Sequence, residues 1–170
     1  MTERESAIVV RIRVPAAIDR LRRAHDRAAR VGVPPHVTIL YPFVPAVELT
    51  LAVRDEVAAI AREIRTFTVT FASAARWAGL AYLEPQPSAS FTGLIDRIAA
   101  CFPEHPPYAG AISEVIPHLT VVESTSVPLD EIVASVQASL PFEAAAEALE
   151  VLVQGDEGRW RRRWRLPFRP

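Results

Sequence analysis

The 170 residues contain no lysine, so all 19 basic side chains are arginines. That absence says little about function by itself, but others exclude more. The single cysteine, Cys101, rules out an internal disulfide. It sits in the helical pattern "IDRIAACF" with nothing beside it to favour a thiolate, so a small buried thiol is expected rather than a nucleophile. No apolar run approaches the length that spans a bilayer. The opening "MTERESAIVV" is too charged and too briefly apolar for a signal peptide, which points to a cytoplasmic protein without a membrane partner. No glycine-rich loop of the Walker or dinucleotide type occurs, so ATP-driven ligation is not expected. There is no low-complexity segment and no long linker, and residues 1–170 read as one compact, monomeric domain. At this length roughly two-thirds of the unfolded surface is buried, enough for a core without metal or disulfide staples.

The formal net charge is −1, which does not suit binding to duplex DNA. The distribution is uneven. Arg159, Arg161, Arg162, Arg163, Arg165 and Arg169 crowd the C-terminus and leave the rest of the chain acidic, so a local anion-binding surface is compatible with the pattern.

What is present is alternation. In residues 6–14, "SAIVVRIRV", Ile8, Val10, Ile12 and Val14 face one way and Val9, Arg11 and Arg13 the other, as in a half-buried strand. Residues 16–32 read as one amphipathic helix ending at Gly32. A strand through "VPPHVTILYPF", a helix over residues 48–64 and a strand "FTVTFASAARW" follow. The series then repeats: strand "GLAYLEP", helix "SFTGLIDRIAACF", the Pro-rich loop "PEHPPYAGA", strand "VIPHLTVVES", helix "LDEIVASVQASL" and a hairpin of "ALEVLVQ" and "RWRRRWRLPF" around "GDEG".

The repeat has a fixed offset. Moving 82 positions (36 to 118) carries "PHVTI" onto "PHLTV", and the same step relates the next helix and the next strand of each series. The chain therefore reads as an α+β duplication of strand–helix–strand–helix–strand units with antiparallel sheets and helices outside. Its two pseudo-symmetric lobes span about residues 1–75 and 76–170, with the last strand a candidate to cross between them. Each lobe contributes one His-x-Thr strand. Residues i and i+2 of a strand share a face, so His36 and Thr38 point together, as do His118 and Thr120. A pseudo-twofold axis would bring both pairs to one central cleft.

A lone histidine or threonine on a strand is usually structural. Two copies in equivalent frames, each after proline and before an aliphatic residue, favour function. In-line cleavage of a phosphodiester needs a base beside the nucleophile and an acid beside the leaving oxygen. Imidazole, with an unperturbed pKa of about 6.5, can take either role near neutrality. Threonine hydroxyls can donate to the non-bridging oxygens as charge builds. Neither histidine has another His, Cys or carboxylate at ligand spacing on its own strand, so a metal centre is not expected, nor is a cofactor.

"PPHVTILYPF" and "IPHLTVVES" resemble the paired His-x-Thr-hydrophobic motifs of the two-histidine (2H) phosphoesterase superfamily, in its bacterial 2′-5′ RNA ligase-like branch. The resemblance extends over nearly the whole chain. It implies a bilobal α+β fold with the site between lobes. It also implies metal-independent hydrolysis or transfer at cyclic or 2′,5′ phosphodiesters, with His36, Thr38, His118 and Thr120 as the catalytic quartet. The expected activity is hydrolysis of a 2′,3′-cyclic or related phosphodiester on a small nucleotide or RNA terminus. The alternatives are a 2′,5′-phosphodiester hydrolase or reversible RNA ligase, and an RNA- or nucleotide-binding module without turnover.

Further candidates are weaker. Arg11 and Arg13 either neutralise substrate phosphate or are solvated strand arginines. Tyr108, in the loop ahead of the second motif, is a candidate for base stacking or phosphate contact. His105 shares that loop, and His25 reads as surface. In the last strand Trp160, Arg162, Trp164, Leu166 and Phe168 are expected on one face, opposite Arg161, Arg163 and Arg165.

Overall fold

The computed structural model describes residues 4–112 and 114–170. Its eight strands are β1 (Ser6–Arg11), β2 (His36–Leu40), β3 (Phe67–Trp77), β4 (Leu80–Gln86), β5 (Leu119–Glu123), β6 (Phe142–Ala146), β7 (Ala148–Gln154) and β8 (Trp160–Pro167). Five α-helices stand among the described residues: α1 (Ala16–His25), α2 (Arg27–Arg30), α3 (Leu51–Glu63), α4 (Ala89–Cys101) and α5 (Leu129–Gln137). All strands join one curled antiparallel sheet in the order β6-β3-β4-β5-β2-β1-β7-β8. Among the described residues, no helix is long and apolar enough to cross a membrane.

The two expected sheets are therefore joined edge to edge, where β2 meets β5 through the single pairing Val37↔Leu119. Each half has four strands, but the halves do not divide the chain near residue 75. β3 pairs with β4 and β6, while β7 and β8 extend the half that holds β1 and β2. Each half thus borrows strand from the other stretch of sequence. The 82-residue offset still holds, because β3 and β7 occupy equivalent places two strands out from β5 and β2.

Helices cover one face. There Ile8, Val10, Ile12, Val37, Ile39, Val69, Phe71, Leu119, Val121, Leu149, Val151 and helix residues such as Ile18, Val57, Leu94 and Val136 form one buried cluster. Each fully buried aliphatic or aromatic side chain contributes about 1.5–3 kcal/mol. The opposite, more open face carries a small apolar patch, Ala7, Val9 and Leu152 under Val33, Tyr41 and Trp160, and the stacked rings of Trp77 and Tyr82.

Three expectations are corrected. The helix over residues 16–32 breaks at Asp26, whose backbone is extended (φ −90, ψ 125). Its short carboxylate caps α2 by accepting the Ala29 N–H at 3.0 Å, an alternative to continuing the helix. Cys101 is exposed: α4 buries Phe91, Leu94, Ile95 and Ile98, and Phe102, one residue past the helix, fills the next core position. In β8 the pairing jumps from Val151↔Trp164 to Leu152↔Arg162, so Arg163 bulges out. That bulge turns Trp160 and Arg162 to the open face and leaves Trp164, Leu166 and Phe168 against the core.

One glycine is required by close approach. Gly32 has φ +100, and a Cβ there would lie 2.7 Å from the Trp160 carbonyl oxygen, beside the 2.7 Å bond from Trp160 N–H to Val31 O.

The Arg22–Asp26 ion pair is the most deeply buried charge in the described residues, at 2% and 0% exposure. Arg22 donates to Asp26 Oδ2 (3.4 Å), to Thr120 O (3.2 Å) and to Val33 O (3.4 Å). Asp26 Oδ1 accepts the Glu123 N–H at 3.2 Å. Burial lowers the Arg22 pKa, opposed by Asp26 and then Asp19. Removing one partner strands the other charge without water. Arg22→Met and Asp26→Leu should each cost about 3–5 kcal/mol in urea unfolding, with the double variant regaining part of the loss. Strictly additive losses would show that the two charges are not coupled.

Candidate functional site

β2 and β5 lie side by side at the middle of the sheet, antiparallel about Val37↔Leu119. With period-2 alternation, that register sets His36 across from Thr120 and Thr38 across from His118, all on the open face, while Val37 and Leu119 are fully buried. Cross-strand neighbours stand about 5 Å apart. Two histidines and two threonines 82 positions apart (36 to 118) are thereby gathered into one patch.

Both strands then bulge at the same place. In β2 the pairing steps from Val9↔Thr38 to Ile8↔Leu40, and in β5 from Tyr82↔Thr120 to Ala81↔Val122. Two successive core residues follow each threonine, Ile39 with Leu40 and Val121 with Val122. Tyr41 and Glu123 return to the open face as equivalents in the two copies. Tyr41 donates to Glu5 at 2.9 Å, and burial raises its pKa to about 12, with help from Glu5 and Glu123.

The imidazoles are oriented identically. His36 Nδ1 lies 2.7 Å from Pro34 O, and His118 Nδ1 lies 2.8 Å from Ile116 O. A carbonyl only accepts, so each Nδ1 carries the proton and each Nε2 is left for chemistry. His36 Nε2 is 3.1 Å from Thr38 Oγ1, whose hydroxyl donates to it. The proline-bounded lead-in two residues upstream supplies the acceptor in both copies.

Their surroundings differ. Burial lowers His36 to about 4, outweighing the Pro34 hydrogen bond, and the charges of Arg22 and His118 push the same way. Burial also lowers His118, but the Ile116 hydrogen bond and the Glu123 carboxylate oppose it. Trp77 and Tyr82 wall His118: the two rings stack at 4.1 Å and meet the imidazole edge-on at 4.9 and 5.8 Å.

Of the remaining candidates, Arg11 is the cross-strand partner of His36 and is exposed. With Arg13, Glu150, Arg162 and Arg165 it lines a cavity of ≈ 450 Å³ beside the histidine patch. Tyr108 is brought in by its loop, where Tyr108 and Ala109 both hold φ +52, a strained conformation for residues with a Cβ. Its N–H donates to Tyr41 O at 2.6 Å. Burial and then Glu123 raise the phenol pKa, and a hydrogen bond with the Thr38 hydroxyl opposes them. His105 packs edge-on to Phe43 at 6.4 Å, and His25 is half-buried on α1, so neither joins the patch. Among the described residues no three His, Cys, Asp or Glu side chains converge as a metal-ligand set.

Sequence reading missed Trp77, Tyr82, Glu123 and the Arg22–Asp26 pair. The equal spacing of Tyr41 and Glu123 behind the two motifs was a usable signal. The bulges that turn them inward were not.

His36 binds its proton less tightly folded than unfolded, so its contribution to stability is complete above about pH 6.5 and is lost as pH falls toward about 4. The stability difference between wild type and His36→Gln should therefore narrow from pH 7 to pH 4 in urea titrations. A difference independent of pH would show that His36 is not held neutral by the fold.

Comparison with known proteins agrees with this architecture. The family described as 2′-5′ RNA ligase superfamily matches residues 10–158. No curated protein sequence matches the chain. Among solved structures, apo LigT of E. coli superposes with TM-score 0.58 at 18% identity, covering 99% of this chain and 100% of that one. TT0787 of Thermus thermophilus gives TM-score 0.64 at 15% identity over 97% and 98% of the two chains. E. coli LigT complexed with 3′-AMP gives 0.56 at 19% over 98% of each. With the family matched across both His-x-Thr strands and the fold shared end to end, the chain belongs to the 2′-5′ RNA ligase superfamily of two-histidine phosphoesterases.

Proposed function

We propose that this chain is a metal-independent phosphodiesterase that opens a 2′,3′-cyclic or related phosphodiester on a nucleotide or RNA end, with His36, Thr38, His118 and Thr120 as its catalytic quartet. The observation that carries the reading is the matched locking of both Nδ1–H groups onto backbone carbonyls, which leaves two Nε2 atoms for proton transfer on one open face. The binding of 3′-AMP by LigT supports a nucleotide as substrate.

In the hydrolytic direction His36 is the base. It is neutral at pH 7, and its Nε2 takes a proton from water as the water oxygen bonds to phosphorus. His118 is the acid. Burial lowers its pKa, the Ile116 carbonyl and the Glu123 carboxylate oppose that, and in its protonated form its Nε2–H passes a proton to the oxygen whose bond to phosphorus breaks. With substrate bound, the Thr38 hydroxyl turns from His36 Nε2 to a non-bridging oxygen and frees that nitrogen, Thr120 donates to the other, Arg11 and Arg13 offset the phosphate charge, and Tyr108, held protonated, is a further donor.

The same quartet can run the step with a ribose hydroxyl in place of water, giving 2′,5′-linkage cleavage or joining. The family's own description favours testing this reading alongside hydrolysis.

Incubation with 2′,3′-cyclic nucleotides and with 2′,5′-dinucleotides, with and without chelator, should give turnover that survives chelation, with products identified by mass and phosphorus NMR. His36→Ala and His118→Ala should each lose about 10²–10⁴-fold in kcat while remaining folded. Thr38→Val and Thr120→Val should lose about 10²–10³-fold. Activity that a chelator abolishes and a divalent ion restores would sink the metal-free mechanism. Nucleotide binding without turnover of any diester would identify a binding module instead.

The profile of kcat/KM against pH should be bell-shaped and centred below neutrality. Its acid limb near pH 4 reports His36, and its alkaline limb, below pH 6.5, reports His118. A single ionisation would contradict paired acid and base roles.

A further inference from the structure

On the outer side of β8, a groove of ≈ 500 Å³ separates the strand from α3. Arg54, Asp55 and Arg62 line it from the helix, and Arg163, Trp164 and Arg165 from the strand. Asp55 is occupied by Arg54 at 2.7 Å, and Arg165 is matched by Glu147 at 3.3 Å. Among the described residues Arg62 and Arg163 make no ion pair, and both are exposed. The Arg163 guanidinium lies 5.7 Å from the centre of the Trp164 ring. Isolated surface arginines are ordinary. Four around one concavity, two of them without a carboxylate, in a chain of net charge −1, concentrate positive potential in one place.

The groove also meets the open face of the sheet, at Arg165. Arg165 lines both this groove and the ≈ 450 Å³ cavity on the open face, where Arg11, Arg13 and Arg162 stand among Glu143, Glu147 and Glu150 and Arg162 is matched by Glu150 at 3.1 Å. Arg11 in turn pairs across the strands with His36. Guanidinium groups thus run from the base side of the site, over edge strand β8, to the outer groove. The Arg163 bulge shifts the alternation, so Arg162 and Arg165 both line the open-face cavity while Arg163 lies beside Trp164 in the groove.

We infer that the α3–β8 groove is a binding subsite for the backbone of single-stranded RNA whose reacting linkage lies in the histidine patch. The inference rests on the proposed action at an RNA end and extends it to a polynucleotide substrate. Guanidinium groups recognise phosphate oxygens in a fork geometry.

The test is fluorescence anisotropy with an oligoribonucleotide of about ten nucleotides ending in an unreactive 3′-phosphate, titrated at several salt concentrations. It compares wild type with Arg62→Gln/Arg163→Gln, whose thermal midpoint is checked in parallel. Losing two phosphate contacts should make the slope of log K against log salt shallower by about 1.4 and weaken binding about tenfold near 0.15 M salt. Turnover of a 2′,3′-cyclic mononucleotide should be unchanged. Equal RNA affinity of the two proteins overturns the inference. So does a parallel fall in mononucleotide turnover, or equally tight binding of a poly-glutamate peptide or phosphatidylserine vesicles. If the wild type turns over no diester at all, the binding comparison still reads the groove, so failure of the proposed activity and failure of this subsite are distinguishable.

Discussion

A sheet of eight strands normally gains its rigidity from long ladders, yet here the two halves meet at a single backbone pairing, Val37 with Leu119. Just beyond that pairing, the carbonyl of Thr120 and the amide of Glu123 would otherwise face an apolar interior. The buried Arg22–Asp26 pair answers both, and Arg22 also takes the Val33 carbonyl at the entrance to β2. One ion pair on the α1–α2 break therefore ties both His-x-Thr strands together. A charge pair is a costly core element, since hydrophobic replacements of buried pairs are often as stable. Its use here fits a need for a defined register more than a need for stability, because a slip of one residue would turn the histidines into the core.

The scaffold is close to symmetric, and the surroundings of the two histidines are not. Both imidazoles hang on a carbonyl two residues upstream, and both strands bulge after the threonine. Around His36 the neighbours are cationic, Arg22 behind it and Arg11 beside it. Around His118 they are aromatic and anionic, with Trp77, Tyr82 and Glu123. Equivalent backbone positions thus supply unlike electrostatics, which is what one proton acceptor and one proton donor require. Tyr41 and Glu123 show this most directly, as one position in the duplication carries a phenol in the first copy and a carboxylate in the second.

Charge distribution follows the same logic at longer range. With a net charge of −1 the chain carries no overall excess of positive charge, and its arginines gather on β8 and the elements flanking it and on α1 and α2. The bulge at Arg163 changes which of those arginines share a side of the edge strand, bringing Arg162 and Arg165 to one cavity. Charged side chains on such an edge also discourage strand addition by another chain.

Much of this was legible in the amino-acid order, because period-2 alternation and a fixed offset are local or nearly local properties. The strand character of "HVTIL" and "LTVVE", the shared direction of each His-Thr pair and the duplication follow from spacing alone, and the family resemblance rests on the two His-x-Thr motifs. The position of Tyr108 near the patch was also within reach, since its loop feeds β5. Other features depended on tertiary structure. The strand exchange that pairs β3 with β4 and β7 with β1 is a long-range choice that no window of sequence encodes. Bulges shift the face of every residue after them, so the sides occupied by Glu123, Trp160 and Arg162 could not be counted from alternation. The break at Asp26 and the exposure of Cys101 came from competition for buried positions, which only the packed chain resolves. Sequence alone determined which residue types could do the chemistry, because side-chain pKa and alternation are intrinsic. Only the folded structure made the two histidines unlike, because desolvation and neighbouring charge belong to the surroundings and not to the residue.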